Sequence, residues 1–371
     1  MTWSSYLKTR TRQPAFLWRM AIWIVAAGIA LGFIAEWVWQ PAATKAAQEV
    51  RRDIPSDSLE TLAEQGKWGQ LWWTVPTVVY RRPAFIGPVL LATMAGGCWS
   101  VFLWQSLRLP GWRNPRLACA LLAMLLGVLS IWPTYFFDLW QTHAWNLHRS
   151  REPIPGIRYF VVGVGLREEL AKLLCLMPLM PLLLRMRDEL TTLLVSGCVG
   201  LGFAFAENIT YFAGSGATGV LGRFLTANPA HITLTGLLGL AVYRALRDPH
   251  SWGPHAACVF GILVVAHGMY DAFIGVPALK EYSMFGTIIF ALVVYQFFRE
   301  LRDLRPSQGD TISLTANFLC GVALLTAASF VYLSANFGMS IAFDTLAGGV
   351  TGLAVMVYLF LREMPETMVR V

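Results

Sequence analysis

An apolar run at residues 161–184 is long enough to cross a bilayer, yet it carries four charged side chains within about one and a half helical turns. These residues are Arg167, Glu168, Glu169 and Lys172. A charge near the centre of a membrane costs roughly 2.5–3.5 kcal/mol on insertion scales, so chain stability alone does not account for them. The run therefore predicts a polar, functional site inside a membrane protein.

The composition agrees, because 56% of the 371 residues are apolar, only 14% are charged, and the mean hydropathy is +0.53. The net charge of +7 is spread over short segments between apolar runs, a pattern typical of membrane topology. We therefore expect the lipid bilayer, and no nucleic acid, as a partner. The six cysteines form no CxxC pair and are interpreted as small buried residues.

Apolar stretches of about 20 residues predict ten transmembrane helices, so the expected fold is an all-α, polytopic membrane helical bundle. They lie at residues 16–38, 84–107, 117–139, 158–184, 191–212, 225–247, 254–275, 282–300, 315–335 and 338–361. We expect three regions: an N-terminal region at 1–157 with three transmembrane helices, a catalytic membrane core at 158–300, and two C-terminal helices at 301–371. The sequence does not indicate an oligomeric state.

Basic residues near the span ends predict that both termini lie in the cytoplasm. Examples are Arg10, Arg12, Arg116, Arg244 and Arg362. The long loop at 39–83 then lies on the outer side, where we expect a short helix that ends near Gly66. A cluster of aromatic side chains follows it and predicts an interfacial belt, at Trp68, Trp72, Trp73 and Tyr80.

Four consecutive spans carry ionisable or amide side chains well inside their apolar limits. They are Glu168, Glu169 and Lys172 on the first, Glu207 and Asn208 on the second, His231 on the third, and His267 and Asp271 on the fourth. At a rise of 1.5 Å per residue, the ionisable residues named for catalysis or metal binding lie about 6–15 Å below the outer helix ends. We therefore expect them to meet in the outer half of the membrane.

Spacing within the helices adds detail to this expected cluster. Glu168 and Lys172 are four residues apart, as are His267 and Asp271, so each pair can form an ion pair or hydrogen bond. Glu168 and Glu169 point about 100° apart, and we expect one to face a cavity while the other is held by Lys172, Arg167 or a neighbouring helix. Taken singly, Arg167 can be a snorkelling side chain, and Asp138, near a span end, is assigned to structure or to the membrane interface.

Glutamates and histidines around a cavity are typical of sites that activate water for attack on a carbonyl. For a zinc-bound water, the candidate ligands are Glu207, His231, His267 and Asp271. Without a metal, Glu168 or Glu169 would act as general base while His231 or His267 stabilises the oxyanion. The candidate catalytic residues are thus Glu168, Glu169, His231 and His267, with Lys172 and Asn208 in support. Zinc is inferred from residue types alone, because no HExxH motif is present.

The order of these motifs resembles that of the PrsW family of intramembrane proteases, which is related to the CAAX prenyl proteases and the bacterial Abi proteins. The segments that carry the resemblance are Glu168-Glu169-Leu170-Ala171-Lys172, Phe203 to Asn208, His231, and His267 to Asp271, within residues 158–275. The resemblance implies a protease of the bacterial cytoplasmic membrane. Its expected substrate is a single-span or membrane-anchored protein such as an anti-sigma factor. The CAAX relatives have FxxxH and often HxxxN, whereas this chain has Glu207 and Asp271 at the last positions.

Two other classes of function share these residue types. Carboxylates and histidines also form proton relays in proton- or ion-coupled transporters, which are often built from inverted repeats around a midplane site. No repeat is evident in this sequence. A non-catalytic membrane scaffold could use the same residues to hold helices together. Hydrolysis is the function that we expect.

Overall fold

The structure is a computed structural model that describes residues 6, 9–38, 56–80, 86–107, 114–216, 218–304 and 313–363. Its long elements in this part of the chain are all helices, which we number α1 to α16. They are α1 (Pro14–Val38), α2 (Ser56–Glu64), α3 (Trp68–Val79), α4 (Ile86–Ser106), α5 (Pro115–Leu129), α6 (Ile131–Ala144), α7 (Pro153–Arg158), α8 (Leu166–Leu176), α9 (Met180–Met186), α10 (Glu189–Ser215), α11 (Val220–Leu225), α12 (Ala227–Arg247), α13 (Pro249–Gly275), α14 (Ser283–Leu304), α15 (Leu314–Phe337) and α16 (Met339–Glu363).

Eight helical stretches in the described residues are long and apolar enough to cross a membrane, which confirms the all-α, polytopic bundle. They are Pro14–Val38, Ile86–Ser106, Pro115–Ala144, Glu189–Ser215, Val220–Arg247, Pro249–Gly275, Pro277–Leu304 and Leu314–Phe337. The span expected at 338–361 corresponds to α16.

The span expected at 158–184 differs from a single continuous helix. It runs through the end of α7, a π-helical segment Tyr159–Gly165, α8, a 3₁₀ turn Met177–Leu179 and α9. Pro178 and Pro181 lie where the 3₁₀ turn passes into α9, and proline lacks the N–H that a continuous α-helix needs. The charged residues therefore lie on a short helix, α8, that is held by its neighbours.

The centre of the bundle is the pair α10 and α12, whose residues are the most completely buried of the candidate spans. Their backbones approach closely at Gly200, where an added Cβ would lie 2.0 Å from the carbonyl oxygen of His231. Only glycine permits this approach. Glu207 on α10 and His231 on α12 are consequently carried by two helices in direct backbone contact.

The outer elements surround this pair. Helix α1 packs on α15, and α2 and α3 pack on α6. The short helix α2 ends at Glu64, close to the predicted Gly66. Trp132 on α6 donates a hydrogen bond from Nε1 to the carbonyl oxygen of Trp72 at 2.8 Å, so the predicted aromatic belt packs partly on the bundle. The division at residues 157 and 300 and the orientation of the termini stay predictions.

Candidate active site

Four helices, α8, α10, α12 and α13, bring the predicted polar residues together. The π-helical segment before α8 lies against α13 with almost no side chain between the two backbones. A Cβ at Gly165 would lie 2.5 Å from the carbonyl oxygen of Val264, and one at Gly268 would lie 2.3 Å from the Cα of Val161. This contact places His267 beside the two glutamates of α8.

Glu169 and Lys172 form a fully buried ion pair on α8. Lys172 Nζ donates to Glu169 Oε1 at 2.6 Å, and both side chains have no exposed surface. Glu169 Oε1 also lies 2.7 Å from His267 Nδ1. Of the two glutamates that Lys172 could reach, the lysine pairs with Glu169, three residues earlier, and lies between Glu169 and His231.

The hydrogen bonds assign the protons of the two imidazoles. Lys172 has donors only, so His231 Nδ1 accepts its N–H at 3.1 Å, and His231 Nε2–H donates to Glu207 Oε2 at 3.1 Å. His267 Nδ1 faces the Glu169 carboxylate and can only donate to it, and His267 Nε2 lies 3.6 Å from Glu168 Oε2 and 3.5 Å from Asp271 Oδ2. The two histidines therefore have different surroundings, and His267 is the one whose Nε2 lies between two carboxylates.

Arg223, which was not among the predicted site residues, completes the far side of this network. Arg223 binds Glu207 through Nη2 and Asn208 through Nε, and its guanidinium carbon lies 3.8 Å from the centre of the Tyr211 ring. Asn208 Nδ2 donates to Asn228 Oδ1 at 2.6 Å. The signal in the sequence was a single basic residue between two spans that carry polar residues.

A cavity of about 1640 Å³ opens against this cluster. Its wall includes five of the predicted residues: Glu168, Glu207, His231, His267 and Asp271. The predicted residues Glu169, Lys172 and Asn208 lie behind the wall and are fully buried. Of the two adjacent glutamates, Glu168 is thus the one that faces the cavity, and Glu169 is held by Lys172 and a neighbouring helix.

The cavity wall also contains an ion pair between Arg167 and Asp138. Arg167 Nη1 donates to Asp138 Oδ1 on α6, and the arginine lies 6.0 Å from the centre of the Tyr159 ring. Neither residue was among the predicted site residues. Asp138 had been assigned to structure or to the membrane interface, and Arg167 was treated as a snorkelling side chain, although it directly precedes Glu168 in the sequence.

Three buried residues offer ligand atoms that lie within 4.8 Å of one another: Glu168, His231 and His267. Glu168 Oε2 is buried and has no hydrogen-bond partner, and His267 Nε2 lies 3.6 Å from it. One carboxylate and two imidazoles suit zinc in a catalytic site with an open position. The donor set therefore fits a metal, and Glu168 takes a place in it that the sequence had given to other carboxylates.

The other predicted metal ligands lie beside this group. Asp271 Oδ2 is 3.5 Å from His267 Nε2, and Glu207 is bound by Arg223 and His231. His231 would have to give up its hydrogen bond to either Glu207 or Lys172 to offer a ring nitrogen to a metal. Glu207 and Asp271 are placed to orient the two histidines, a common role of carboxylates around a metal site.

Comparison with known proteins gives one match. The sequence model of the PrsW family, described as intramembrane metalloproteases, matches residues 115–297, a stretch that contains every site residue described above. No curated protein and no solved structure matches the chain.

Proposed function

Since residues 115–297 belong to the PrsW family of intramembrane metalloproteases, the chain is an integral membrane protease, and we propose that it cuts a membrane-anchored protein whose scissile bond binds beside Glu168. The observation that supports the proposal most directly is that two adjacent glutamates have different surroundings. Glu168 lines the cavity, whereas Glu169 is buried behind it and its Oε1 holds His267 and Lys172.

Glu168 is the general base in this proposal. The carboxylate oxygen of Glu168 that does not hold a metal takes a proton from the attacking water as the water oxygen bonds to the carbonyl carbon, and it returns the proton to the amine nitrogen when the C–N bond breaks. Glu169 is unsuited to this step, because its Oε1 accepts hydrogen bonds from both Lys172 and His267 and the residue does not line the cavity. It instead fixes the tautomer and orientation of His267.

Zinc is the metal that we propose for the group of Glu168, His231 and His267. When bound, it supplies a water of lowered pKa and polarises the scissile carbonyl. The metal proposal can be tested apart from activity, by mass-spectrometric metal analysis of the purified protein. We expect about one zinc per chain in the wild type, and a His267→Ala variant that retains none would support this assignment. An equal zinc content in the wild type and the variant would refute the assignment of His267 as a zinc ligand.

The substrate class follows from the position of the cavity within the bundle. Much of its wall is apolar, including Phe203, Phe290 and Val293, so an extended membrane segment can enter without exposing backbone polar groups to lipid. We propose a single-span substrate cut in the outer half of the bacterial cytoplasmic membrane, with both termini of the enzyme in the cytoplasm. An anti-sigma factor is a regulatory substrate of this kind.

The test uses purified protein in proteoliposomes and single-span fusion proteins with a reporter on the outer side. Wild-type protein should release the reporter, and Glu168→Gln should lower the rate at least about 100-fold, within the usual range for a general base. Glu152→Gln is the matched control, because Glu152 is an exposed residue outside the cavity. Cleavage by Glu168→Gln at the rate of the control would refute the assignment.

A further inference from the structure

The Arg167–Asp138 pair stands beside the proposed base in the cavity wall. The side chain of Arg167 is nine-tenths buried, with 10% of its surface exposed, whereas Asp138 is 37% exposed. Arg167 Nε is buried and has no hydrogen-bond partner. A buried N–H without a partner is costly in a folded protein and therefore calls for an explanation.

During peptide hydrolysis the carbonyl oxygen becomes negative when water attacks, and a hydrogen-bond donor stabilises this charge alongside a bound metal. The histidines are poorly placed to provide it. His231 uses both ring nitrogens, towards Lys172 and Glu207. His267 uses its Nδ1–H towards Glu169, and its Nε2 faces the carboxylates of Glu168 and Asp271 at 3.6 and 3.5 Å. The donors of the lysine are likewise directed to Glu169 and His231. The group beside Glu168 with an unused buried N–H is Arg167.

We infer that Arg167 is a catalytic residue that donates hydrogen bonds to the scissile carbonyl oxygen and stabilises the oxyanion. The inference rests on the proposed protease function. The guanidinium stays protonated throughout, so it moves no proton. Electrons shift from the carbonyl double bond to the oxygen as the C–O bond to water forms, and they return when the C–N bond breaks.

Asp138 acts through Arg167 as a positioning residue. It accepts a hydrogen bond from Nη1, and the planar guanidinium transmits the orientation fixed at that nitrogen to the remaining donors. The ring of Tyr159, from the π-helical segment, lies on the same arginine. Helix α6 therefore contributes to the chemistry by holding a side chain of the next membrane segment.

The test compares Arg167→Gln and Arg167→Lys with Arg158→Gln. Arg158 precedes the same π-helical segment, is exposed and does not line the cavity, so its variant controls for the loss of a positive charge. Loss of one oxyanion donor typically lowers kcat about 10²–10³-fold. We expect that loss for Arg167→Gln with KM within about threefold of wild type, because the interaction is made in the transition state, and we expect wild-type kinetics for Arg158→Gln.

A binding measurement distinguishes this role from a structural one. Two peptides are made from the mapped cleavage site, one with the amide bond and one with a phosphinate in its place, which resembles the anionic tetrahedral intermediate. Arg167→Gln should weaken phosphinate binding at least about 10-fold more than amide binding. Equal weakening of both peptides, or an unchanged kcat, would overturn the inference.

Two further variants keep the test decisive. If Arg167→Gln does not fold, Arg167→Lys and Asp138→Asn replace it, and both should lower kcat. Because Asp138 acts through the arginine, Asp138→Asn should add no further loss to an Arg167 variant. Failure of the protease function itself is recognised separately, since the wild-type protein would then release no reporter from the single-span fusion. An active Arg167→Gln beside an inactive Glu168→Gln refutes only the role of Arg167.

Discussion

Replacing Lys172 with methionine should destabilise the protein by about 3–5 kcal/mol, the usual cost of removing one partner of a buried ion pair. Methionine keeps most of the aliphatic stem, so the change chiefly removes the charge. Lys172 has no exposed surface, and its ammonium lies 2.6 Å from Glu169 Oε1, 3.1 Å from His231 Nδ1 and 4.6 Å from the centre of the Phe203 ring. The variant leaves a buried carboxylate and an unpaired imidazole nitrogen.

The predicted loss corresponds to at least about a 100-fold increase in the unfolding equilibrium constant. It can be measured by reversible unfolding in mixed micelles, in which an increasing fraction of denaturing detergent is added to the folded protein. Lys280→Met is the control, because Lys280 is an exposed residue of the 3₁₀ segment Pro277–Tyr282, and its variant should lie within about 0.5 kcal/mol of wild type.

A double variant tests the reasoning more sharply. Glu169→Gln combined with Lys172→Met removes both charges, and replacing a buried pair as a whole is often nearly neutral. The double variant should therefore be at least about 1 kcal/mol more stable than Lys172→Met alone. A cost below about 1 kcal/mol for Lys172→Met, or simple addition of the two single effects, would refute an ion pair whose members depend on each other.

Two other predictions concern the supports of the site. Gly200→Ala should lower stability by about 1–3 kcal/mol and impair cleavage, because its Cβ would lie 2.0 Å from the carbonyl oxygen of His231. Gly97→Ala is the control, because no atom lies within 4 Å of the position of its Cβ, and it should change neither stability nor cleavage. The same unfolding assay compares the two variants. Asp248 caps α13 by accepting a hydrogen bond from the Ser251 N–H, and its hydrogen bonds with Ser251 lower its carboxyl pKa. The cap therefore stabilises α13 above the unfolded pKa of about 3.9 and is lost as pH falls through the lower folded value. Asp248→Ala should speed amide exchange at the start of α13 at neutral pH, and the difference from wild type should shrink below about pH 4; a constant difference would contradict this account.

The sequence was sufficient to predict the bundle and the convergence of its polar residues. Helix length and apolarity locate the spans, and a fixed rise per residue makes the depths of Glu168, Glu207, His231 and His267 comparable before any packing is known. Five of the predicted residues accordingly line one cavity. The family resemblance indicated the same segments, and the matching family confirms a membrane protease.

Pairing within the cluster could not be predicted in the same way. Lys172 can reach a glutamate three or four residues earlier, and the choice of Glu169 depends on where α12 and α13 place His231 and His267. Arg223 was overlooked for a related reason. A basic residue near a span end is equally consistent with membrane topology, and only the packing of α11 against α12 directs it towards Glu207.

The π-helical segment Tyr159–Gly165 has a consequence for length variation. Because π-helical turns hold more residues than α-helical turns, this stretch contains about one residue more than an α-helix with the same rotation. A one-residue deletion here could be absorbed by tightening to α-helix, and Glu168 would keep its direction. The same deletion within α10 or α12 would turn every later side chain by about 100°. Among relatives of this chain, single-residue alignment gaps should therefore fall between residues 159 and 165, where a deletion leaves the direction of Glu168 unchanged.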